Sequence, residues 1–328
     1  MKHNIAIIGL GVIYRQHLQA LQHVSNIFQL TAICDINDTQ LAEGHKLAET
    51  QLQTDNIAAY TDIRQCLQSR KADTILIATP PHTHYQLAQQ TLSAGYNTII
   101  EKPAVLHTPQ LQQLYNIAEE HNVSLHIAFH AAYAADLLWY NTHRQETEQN
   151  YNLGKLRQIT CQFYDPYVNN GILDKGRETL GGSYIDSTVN ELSVVDTITP
   201  LDTYTVSQRH ETQNNDGITI SSQLQLHSTT DKPIVSLITD WTKGINQKTT
   251  TLTYDNNATI LLDHSRQTVT LHDNATVHLL YDNHDAPRLP TQYANLLTDY
   301  HHLLNSHQDN RRQAIAVHHL LLENKDGE

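Results

Sequence analysis

Two glycines, an aspartate and a lysine stand where the chain changes direction, and their types limit the chemistry they can do. Gly9-Leu10-Gly11 follows the apolar run Ile5–Ile8 and precedes Tyr14–Val24, where Leu18 and Leu21 fall at helical spacing. Gly9 permits a tight turn. Gly11 lets the backbone approach a pyrophosphate, which would then sit at the positive end of the helix beside Val12 and Ile13. Position 14, where Gly or Ala is usual, holds Tyr14, so the strand–helix packing is expected to adjust locally. Asp35 closes a second apolar run, Leu30–Cys34, 24 positions beyond Gly11. A carboxylate there accepts hydrogen bonds from the ribose hydroxyls of an adenosine and repels a 2′-phosphate, which favours NAD over NADP. The plainer alternative is a strand-end aspartate that caps the following turn. Lys102 follows the apolar strand Asn97–Ile100, within Glu101-Lys102-Pro103. A lysine at a strand's carboxyl end points into the crevice of an open α/β sheet, and near a carboxylate it can donate to a substrate oxygen and relay its proton. Asp186 and Asn190 are four apart, so both fit one helix face. Which of Lys102 or Asp186 is the formal base stays open, because a close pair titrates as a unit.

The elements that must carry these residues alternate through the first ~125 positions. Apolar runs at Ile5–Ile8, Leu30–Cys34, Thr74–Ala78, Asn97–Ile100 and Ser124–Ala128 are separated by helical stretches, with Pro80-Pro81 stopping one strand and Gly95 ending one helix. Alternating β and α with fully apolar strands predicts a doubly wound parallel sheet. From Thr203 to Tyr281 the pattern changes to closely spaced runs rich in Thr, Val, Ile and Leu, separated by Gly, Asn and Asp. That spacing leaves no room for crossover helices, so this second sheet is expected to be mostly antiparallel. The division is placed at residue 128: a cofactor domain over 1–128, and an α+β domain over 129–328 for substrate and oligomerisation.

Composition excludes several function classes. The 34 acidic and 21 basic residues of the 328 give a formal charge of −13, which argues against a phosphate-tracking nucleic-acid binder and against attraction to anionic lipid. No run approaches the ~18 apolar residues of a membrane span. The start, Met1–Ile8, runs into Gly9 without a small-residue cleavage site, so it is not read as a signal peptide. Cys34, Cys66 and Cys161 lack metal-ligand spacing and are read as reduced thiols of a cytoplasmic protein. His82-Thr83-His84 resembles a metal pair but lacks a third ligand nearby, so no metal is assigned.

Two further motifs carry a family resemblance. Glu101-Lys102-Pro103, and Gly181-Gly182-Ser183-Tyr184-Ile185-Asp186-Ser187-Thr188-Val189-Asn190, stand in order with Gly9-Leu10-Gly11 and Thr79-Pro80-Pro81. Together they resemble the Gfo/Idh/MocA family of nicotinamide-dependent oxidoreductases over nearly the whole chain. Many members carry His at the position of Asn190. The Asp-x-x-x-Asn form, Ala128-Phe129-His130 and Asp240-Trp241 resemble a subgroup of aldose 1-dehydrogenases acting on L-arabinose or D-galactose. The resemblance implies a Rossmann domain and assigns Lys102 as the catalytic lysine, Asp186 as its acid/base partner and Asn190 as a hydrogen-bond partner of the reacting hydroxyl. It places Gly9, Gly11, Val12, Ile13, Asp35, Thr79, Pro80, His84, Glu101 and Lys102 at the cofactor, and His130 and Trp241 in the sugar pocket; from the residues alone His130 fits a satisfied core histidine as well, and Trp241, alternating with its strand neighbours, fits the core or a subunit interface as well. The sequence departs from that subgroup at Ala132, where an Arg is usual, and at Asp165–Asn170, which replaces a Trp-rich loop. It also has Asp35-Ile36 where a Ser-Arg pair often selects NADP.

The expected function is therefore NAD(P)-dependent hydride transfer from a sugar or polyol, at aldose C1 to give a lactone or at a ring alcohol. The rivals are an inositol-type dehydrogenase, a redox-assisted glycosidase that retains NAD, and a non-catalytic cofactor-sensing regulator. A homodimer or homotetramer is expected through the open face of the antiparallel sheet, since a sheet covered on one side must meet water or another subunit on the other. Michaelis kinetics with both cofactors check the Asp35 assignment: kcat/KM should be higher with NAD, and a clear NADP preference would overturn it.

Overall fold

The computed structural model describes residues 2–273 and 276–322. It divides into two compact units: the chain up to Ala128 together with Leu289–Ala314, and Phe129–Arg288 together with the chain from Ile315 onward. The second excursion differs from the linear division at residue 128. A late segment, 289–314, returns to the first unit, and nothing in its amphipathic pattern specifies which core it will join.

In the first unit the elements run β1 (His3–Ile8), α1 (Tyr14–His23), β2 (Phe28–Cys34), α2 (Asp38–Leu52), β3 (Ala58–Tyr60), α3 (Ile63–Gln68), β4 (Thr74–Ile77), α4 (Pro81–Ser93), β5 (Asn97–Glu101), α5 (Thr108–Glu120) and β6 (Leu125–Ala128). All six strands pair in parallel in the order β3-β2-β1-β4-β5-β6. The short β3 and α3 were not anticipated; three residues and six residues are too few for periodicity to register. The apolar runs are fully buried, as a parallel sheet requires: Ile5, Ile7, Ile77, Ile99, Ile100 and Ile127 all lie in the core. The strand order reverses between β1 and β4, so a crevice opens at the carboxyl ends of these strands.

The returning segment carries α8 (Arg288–Asn305), the next helix of this unit. Tyr300 packs on Phe28 and on His126 and bonds through its hydroxyl to Thr74 Oγ1 at 2.9 Å. Asn310 accepts from the Ile127 amide at 3.0 Å and donates to the Ile127 carbonyl at 2.8 Å, closing the unpaired side of the edge strand β6.

The second unit begins with a 3-10 turn, His130–Tyr133, and α6 (Ala135–Asn150). It continues with β7 (Leu156–Tyr164), a small hairpin of β8 (Val168–Asn169) and β9 (Ile172–Leu173), and α7 (Gly182–Ile198). Then come β10 (Tyr204–Gln213), β11 (Thr219–Ser228), β12 (Ile234–Asp240), β13 (Gln247–Tyr254), β14 (Thr259–Asp263), β15 (Thr268–Asp273) and β16 (Thr276–Asp282). These make an eight-stranded sheet, β10-β11-β12-β7-β13-β14-β15-β16, antiparallel at every pairing except β12 with β7. The chain closes with α9 (Arg311–Leu322), within which the division between the units falls. Alternate residues Ile159, Cys161 and Phe163 of β7 and Val235 and Leu237 of β12 are buried beneath α7, which itself is buried on nearly every side. The intervening positions, Thr160, Gln162, Thr251 and Thr253, are half-buried and polar. Cys34, Cys66 and Cys161 are buried free thiols, and no described helix is long and apolar enough to cross a membrane.

His126, on β6, is fully buried with no hydrogen-bond partner among the described residues on either ring nitrogen, and burial pushes its pKa down to about 3. An unfolded histidine titrates near 6.5. Below that pH the unfolded chain takes up a proton that the folded chain refuses, so folding stability falls as the pH drops from about 6.5 toward 3. His126→Leu should remove up to about 1.4 kcal/mol of this loss per pH unit. Urea unfolding of both chains between about pH 6.5 and 4.5 measures it, and parallel slopes would refute it.

Candidate functional site

The first unit gathers its site residues on one edge of the parallel sheet. Gly9 leaves β1 with φ +92°, and a Cβ there would lie 2.7 Å from the Ala78 carbonyl oxygen and 2.7 Å from Thr79 Cγ2. The turn is held by the Gly9 amide donating to the Cys34 carbonyl at 2.9 Å and by the Ala78 amide donating to Ile8 at 2.7 Å. Gly11 differs: a Cβ there meets nothing within 4 Å. The α1 N-terminus behind it has no side-chain cap and no acid in its first turn, so its amide dipoles remain available to an anion.

Tyr14 fills the third glycine position because α2 supplies the missing space. Gly44 stands against the Tyr14 ring, and the Tyr14 hydroxyl donates to the Gly44 carbonyl at 3.0 Å. The fully buried phenol is pushed upward in pKa by desolvation and stays neutral.

Asp35 follows β2, buried at the same edge. Its Oδ2 accepts from the Leu10 amide and its Oδ1 from the Asn37 amide, both at 2.9 Å. The carboxylate therefore ties the glycine turn to the end of β2 and also caps the turn after it. Each oxygen keeps a second lone pair for a ribose hydroxyl. Beside it, Val12 and Ile36 are 82% and 92% exposed, two apolar side chains presented to solvent next to the open space at Gly11. An adenosine with a pyrophosphate fits this set: apolar contact for the base, a carboxylate for the ribose, and amides with no Cβ in the way for the phosphates.

Thr79, Pro80 and His84 shape the loop after β4. Thr79 and Thr83 share a hydroxyl bond at 2.7 Å, and Thr83 donates to the Pro80 carbonyl at 2.8 Å. Both ring nitrogens of buried His84 meet carbonyl oxygens, Nδ1 at Pro103 (2.9 Å) and Nε2 at Thr79 (2.7 Å), so the ring joins the loops leaving β4 and β5. Burial lowers its pKa, while the two carbonyls and Glu101 oppose that fall. His84 thus faces carbonyls rather than His82, and among the described residues no group of three or more His, Cys, Asp or Glu is placed to hold a metal.

At the end of β5, buried Glu101 accepts from the Lys102 amide at 3.2 Å through Oε2, and its Oε1 lies 2.9 Å from His17 Nε2 on α1. His17 packs on Tyr293 of α8 at 4.3 Å between ring centroids. The strand end that presents half-buried Lys102 is thereby tied to the helix behind the glycine turn.

The second unit carries Asp186 and Asn190 on the first turns of α7, both half-buried. Gly181 and Gly182 start this helix with φ +81° and +87°. A Cβ on Gly182 would lie 2.8 Å from the Thr219 carbonyl oxygen, which is why this entry needs glycine. Asn190 Nδ2 donates to the Asp186 carbonyl at 3.2 Å, and its buried Oδ1 has no partner among the described residues. The turn holding buried His130 packs against α7, within reach of the same helix.

Trp241 corrects an expectation. It is fully buried, edge-on to Tyr167 at 5.1 Å, and its indole N–H donates to Ser187 Oγ at 3.2 Å. It offers no face to a sugar ring; the residue after Asp186 holds it as part of the core. Ser187 in turn donates to Asp165 Oδ2 at 3.1 Å, and Asp165 Oδ1 receives Lys248 Nζ at 2.5 Å. Lys248 and His17 carry no readable signal in the sequence. One lies in a Thr-rich strand and the other on a helix face whose neighbours only the fold supplies.

Residues 3–129 match the model of GFO_IDH_MocA, described as an oxidoreductase family with an NAD-binding Rossmann fold. The D-glucoside 3-dehydrogenase of Escherichia coli K12 is 26% identical over 132 residues, covering 40% of this chain and 36% of that protein. The chain spans 31–40% of the length of three curated relatives it matches. Two solved structures share the fold. An oxidoreductase from Agrobacterium radiobacter in complex with NAD+, L-tartaric acid and magnesium has a TM-score of 0.78 at 13% identity, over 100% of this chain and 98% of that one. KijD10, a 3-ketoreductase from Actinomadura kijaniata in complex with NADP and TDP-benzene, has a TM-score of 0.79 at 16% identity, over 98% and 97%.

The two glycines of the turn should separate on mutation. Gly9→Ala is expected to destabilise the fold by about 1–3 kcal/mol, from left-handed strain and the clash at Ala78. Gly11→Ala is expected to leave Tm within ~2 °C and to weaken NAD binding about tenfold or more, since its methyl group enters the space a phosphate needs. Thermal melts and isothermal titration read the two effects apart; equal behaviour of the two variants would contradict the assignment.

Proposed function

We propose, from a chain whose residues 3–129 match the model of the Gfo/Idh/MocA oxidoreductase family, that this protein transfers hydride from a CH–OH group of a sugar or polyol to a nicotinamide cofactor, NAD in preference to NADP. The observation that carries the reading is the edge of the parallel sheet where Gly9–Gly11, Asp35, Thr79 and Lys102 converge. When bound, the nicotinamide accepts the hydride, and the protein must handle the proton and the geometry.

Gly9, Gly11, Val12 and Ile13 would hold the pyrophosphate, Asp35 the adenosine ribose, and Thr79, Pro80 and His84 the loop beside the nicotinamide. Glu101 and His17 fix the end of β5. Lys102, at that strand end, binds the substrate hydroxyl oxygen and passes on its proton. Asp186 would serve turnover as an acid/base carboxylate, and the Oδ1 of Asn190, without a partner among the described residues, would accept from a substrate hydroxyl.

The position oxidised separates two readings. The Asp-x-x-x-Asn motif and the Phe129-His130 pair favour C1 of an aldose, giving a lactone. The burial of Trp241 and the likeness to a D-glucoside 3-dehydrogenase favour a secondary ring alcohol. A redox-assisted glycosidase would cleave its substrate with no net NADH, and a cofactor-sensing regulator would bind NAD without turnover.

NAD reduction against a panel of aldoses, glycosides and cyclitols tests the reaction and identifies the position. Lys102→Ala should lower kcat about 10²–10⁴-fold while leaving the NAD dissociation constant within a few-fold. Full activity in that variant, or an absence of turnover across the panel, would sink the reading.

A further inference from the structure

The core beneath α7 contains a buried cation that the proposed reaction does not use. Lys248 stands near the start of β13, opposite Phe163 of β7. Along this strand buried and half-buried residues alternate from Thr250 onward, but Lys248, Thr249 and Thr250 are buried in succession. Lys248 falls on the same strand face as buried Thr250, Leu252 and Tyr254, so its side chain turns into the interior, and Thr249 is the residue that breaks the alternation. Its Nζ donates to the Tyr164 carbonyl at 2.9 Å, to Asp165 Oδ1 at 2.5 Å and to Asn246 Oδ1 at 2.6 Å. Three acceptors are all that an ammonium can serve. Burial lowers the lysine pKa, Asp165 opposes this most strongly, Arg288 adds to it, and Asp186 opposes it from the helix above.

The arrangement is directional. Asp165 passes the constraint on through its other oxygen, which accepts from Ser187 at 3.1 Å, and Ser187 accepts from the Trp241 indole at 3.2 Å. Ser187 is the residue next to Asp186. A buried ion pair is a poor source of net stability, because desolvating both charges offsets most of their attraction. What it supplies instead is directed contact: Lys248 holds one oxygen of Asp165, and the other oxygen of Asp165 receives Ser187 on α7.

We propose that Lys248 is a positioning residue, which through Asp165 and Ser187 fixes the first turn of α7 and with it the direction of Asp186. The proposal rests on the reading that Asp186 acts in turnover, and it adds the device that aims it. Lys248 touches neither substrate nor cofactor in this role. Buried Glu191 completes the seam one turn further on, accepting from the Ile238 amide at 3.1 Å, so the helix is fastened to β12 as well as to the end of β7.

The test uses the full chain. Hydrogen–deuterium exchange should show the amides of 182–190 exchanging about tenfold faster in Lys248→Met and in Ser187→Ala, with peptides of β1–β6 unchanged, and Lys248→Arg should restore much of the protection. Ser187→Ala removes only a hydroxyl, so it reads the link even if Lys248→Met fails to fold. With L-arabinose, D-galactose and myo-inositol as substrates, both variants should lower kcat about tenfold to a hundredfold with KM little changed. In an Asp186→Asn background the same changes should cost little more. Unchanged exchange at 182–190, or kcat losses that multiply fully in the Asp186→Asn background, would overturn the proposal. If Asp186→Asn itself leaves kcat intact, the role of Asp186 falls and this proposal with it, a result distinguishable because the exchange data stand apart from activity.

Discussion

At Gly9 the backbone leaves β1 in a left-handed conformation with a carbonyl oxygen 2.7 Å from where a Cβ would be. Most of the first unit depends on that single contact. Because β1 and β4 neighbour each other at the point where strand order reverses, their exit loops compete for one small volume. Only a residue without a side chain lets both pass. Once the turn is made, the α1 N-terminus faces the crevice, Leu10 presents its amide to Asp35, and Gly11 is left with open space around its α-carbon. The proposed dinucleotide site would follow from the way two strands share a border.

The second recurring constraint is the cost of burying charge and polarity without partners. The protein meets it with chains of side chains rather than isolated pairs. Glu101 bridges the Lys102 amide and His17; His84 bridges two loop carbonyls; Lys248, Asp165, Ser187 and Trp241 form one continuous path. Each chain passes beside a residue proposed to act in the chemistry. Apolar packing in the same places would support the fold equally well, but van der Waals contact is weakly directional, whereas a carboxylate with both oxygens engaged holds one orientation.

Much of this was legible from residue order. The fully apolar strands announced a parallel sheet and the closely spaced Thr-rich runs an antiparallel one, because burial on two faces and on one face leave different periodicities. Gly9-Leu10-Gly11 and Asp35 mark the carboxyl end of that sheet, where the Asp35 carboxylate holds the Leu10 amide and caps the following turn. Pocket, core and interface readings of Trp241 all stood open in the sequence, because a tryptophan after a strand looks the same whether its ring faces a ligand or a neighbouring strand. The hairpin at Val168–Leu173 and the indole bond to Ser187 decide that it faces inward. The segment 289–314 was assigned to the wrong core for a similar reason: amphipathicity says that a helix must be covered, and never by what.

The sequence by itself determined whatever depends on local chemistry. That includes the glycine turn, the alternation of elements, the change of sheet type, and the residue types available at each strand end. These are set by steric and hydrophobic preferences acting over a few positions. The tertiary structure alone decided which distant groups meet: Tyr14 with Gly44, His17 with Glu101, Lys248 with Asp165, Asn310 with the edge of β6. Such pairings span from 30 to 183 positions of chain, and no periodicity extends that far. They arise because folding brings together buried polar groups that must find partners, and a partner is chosen by where the backbone has already gone.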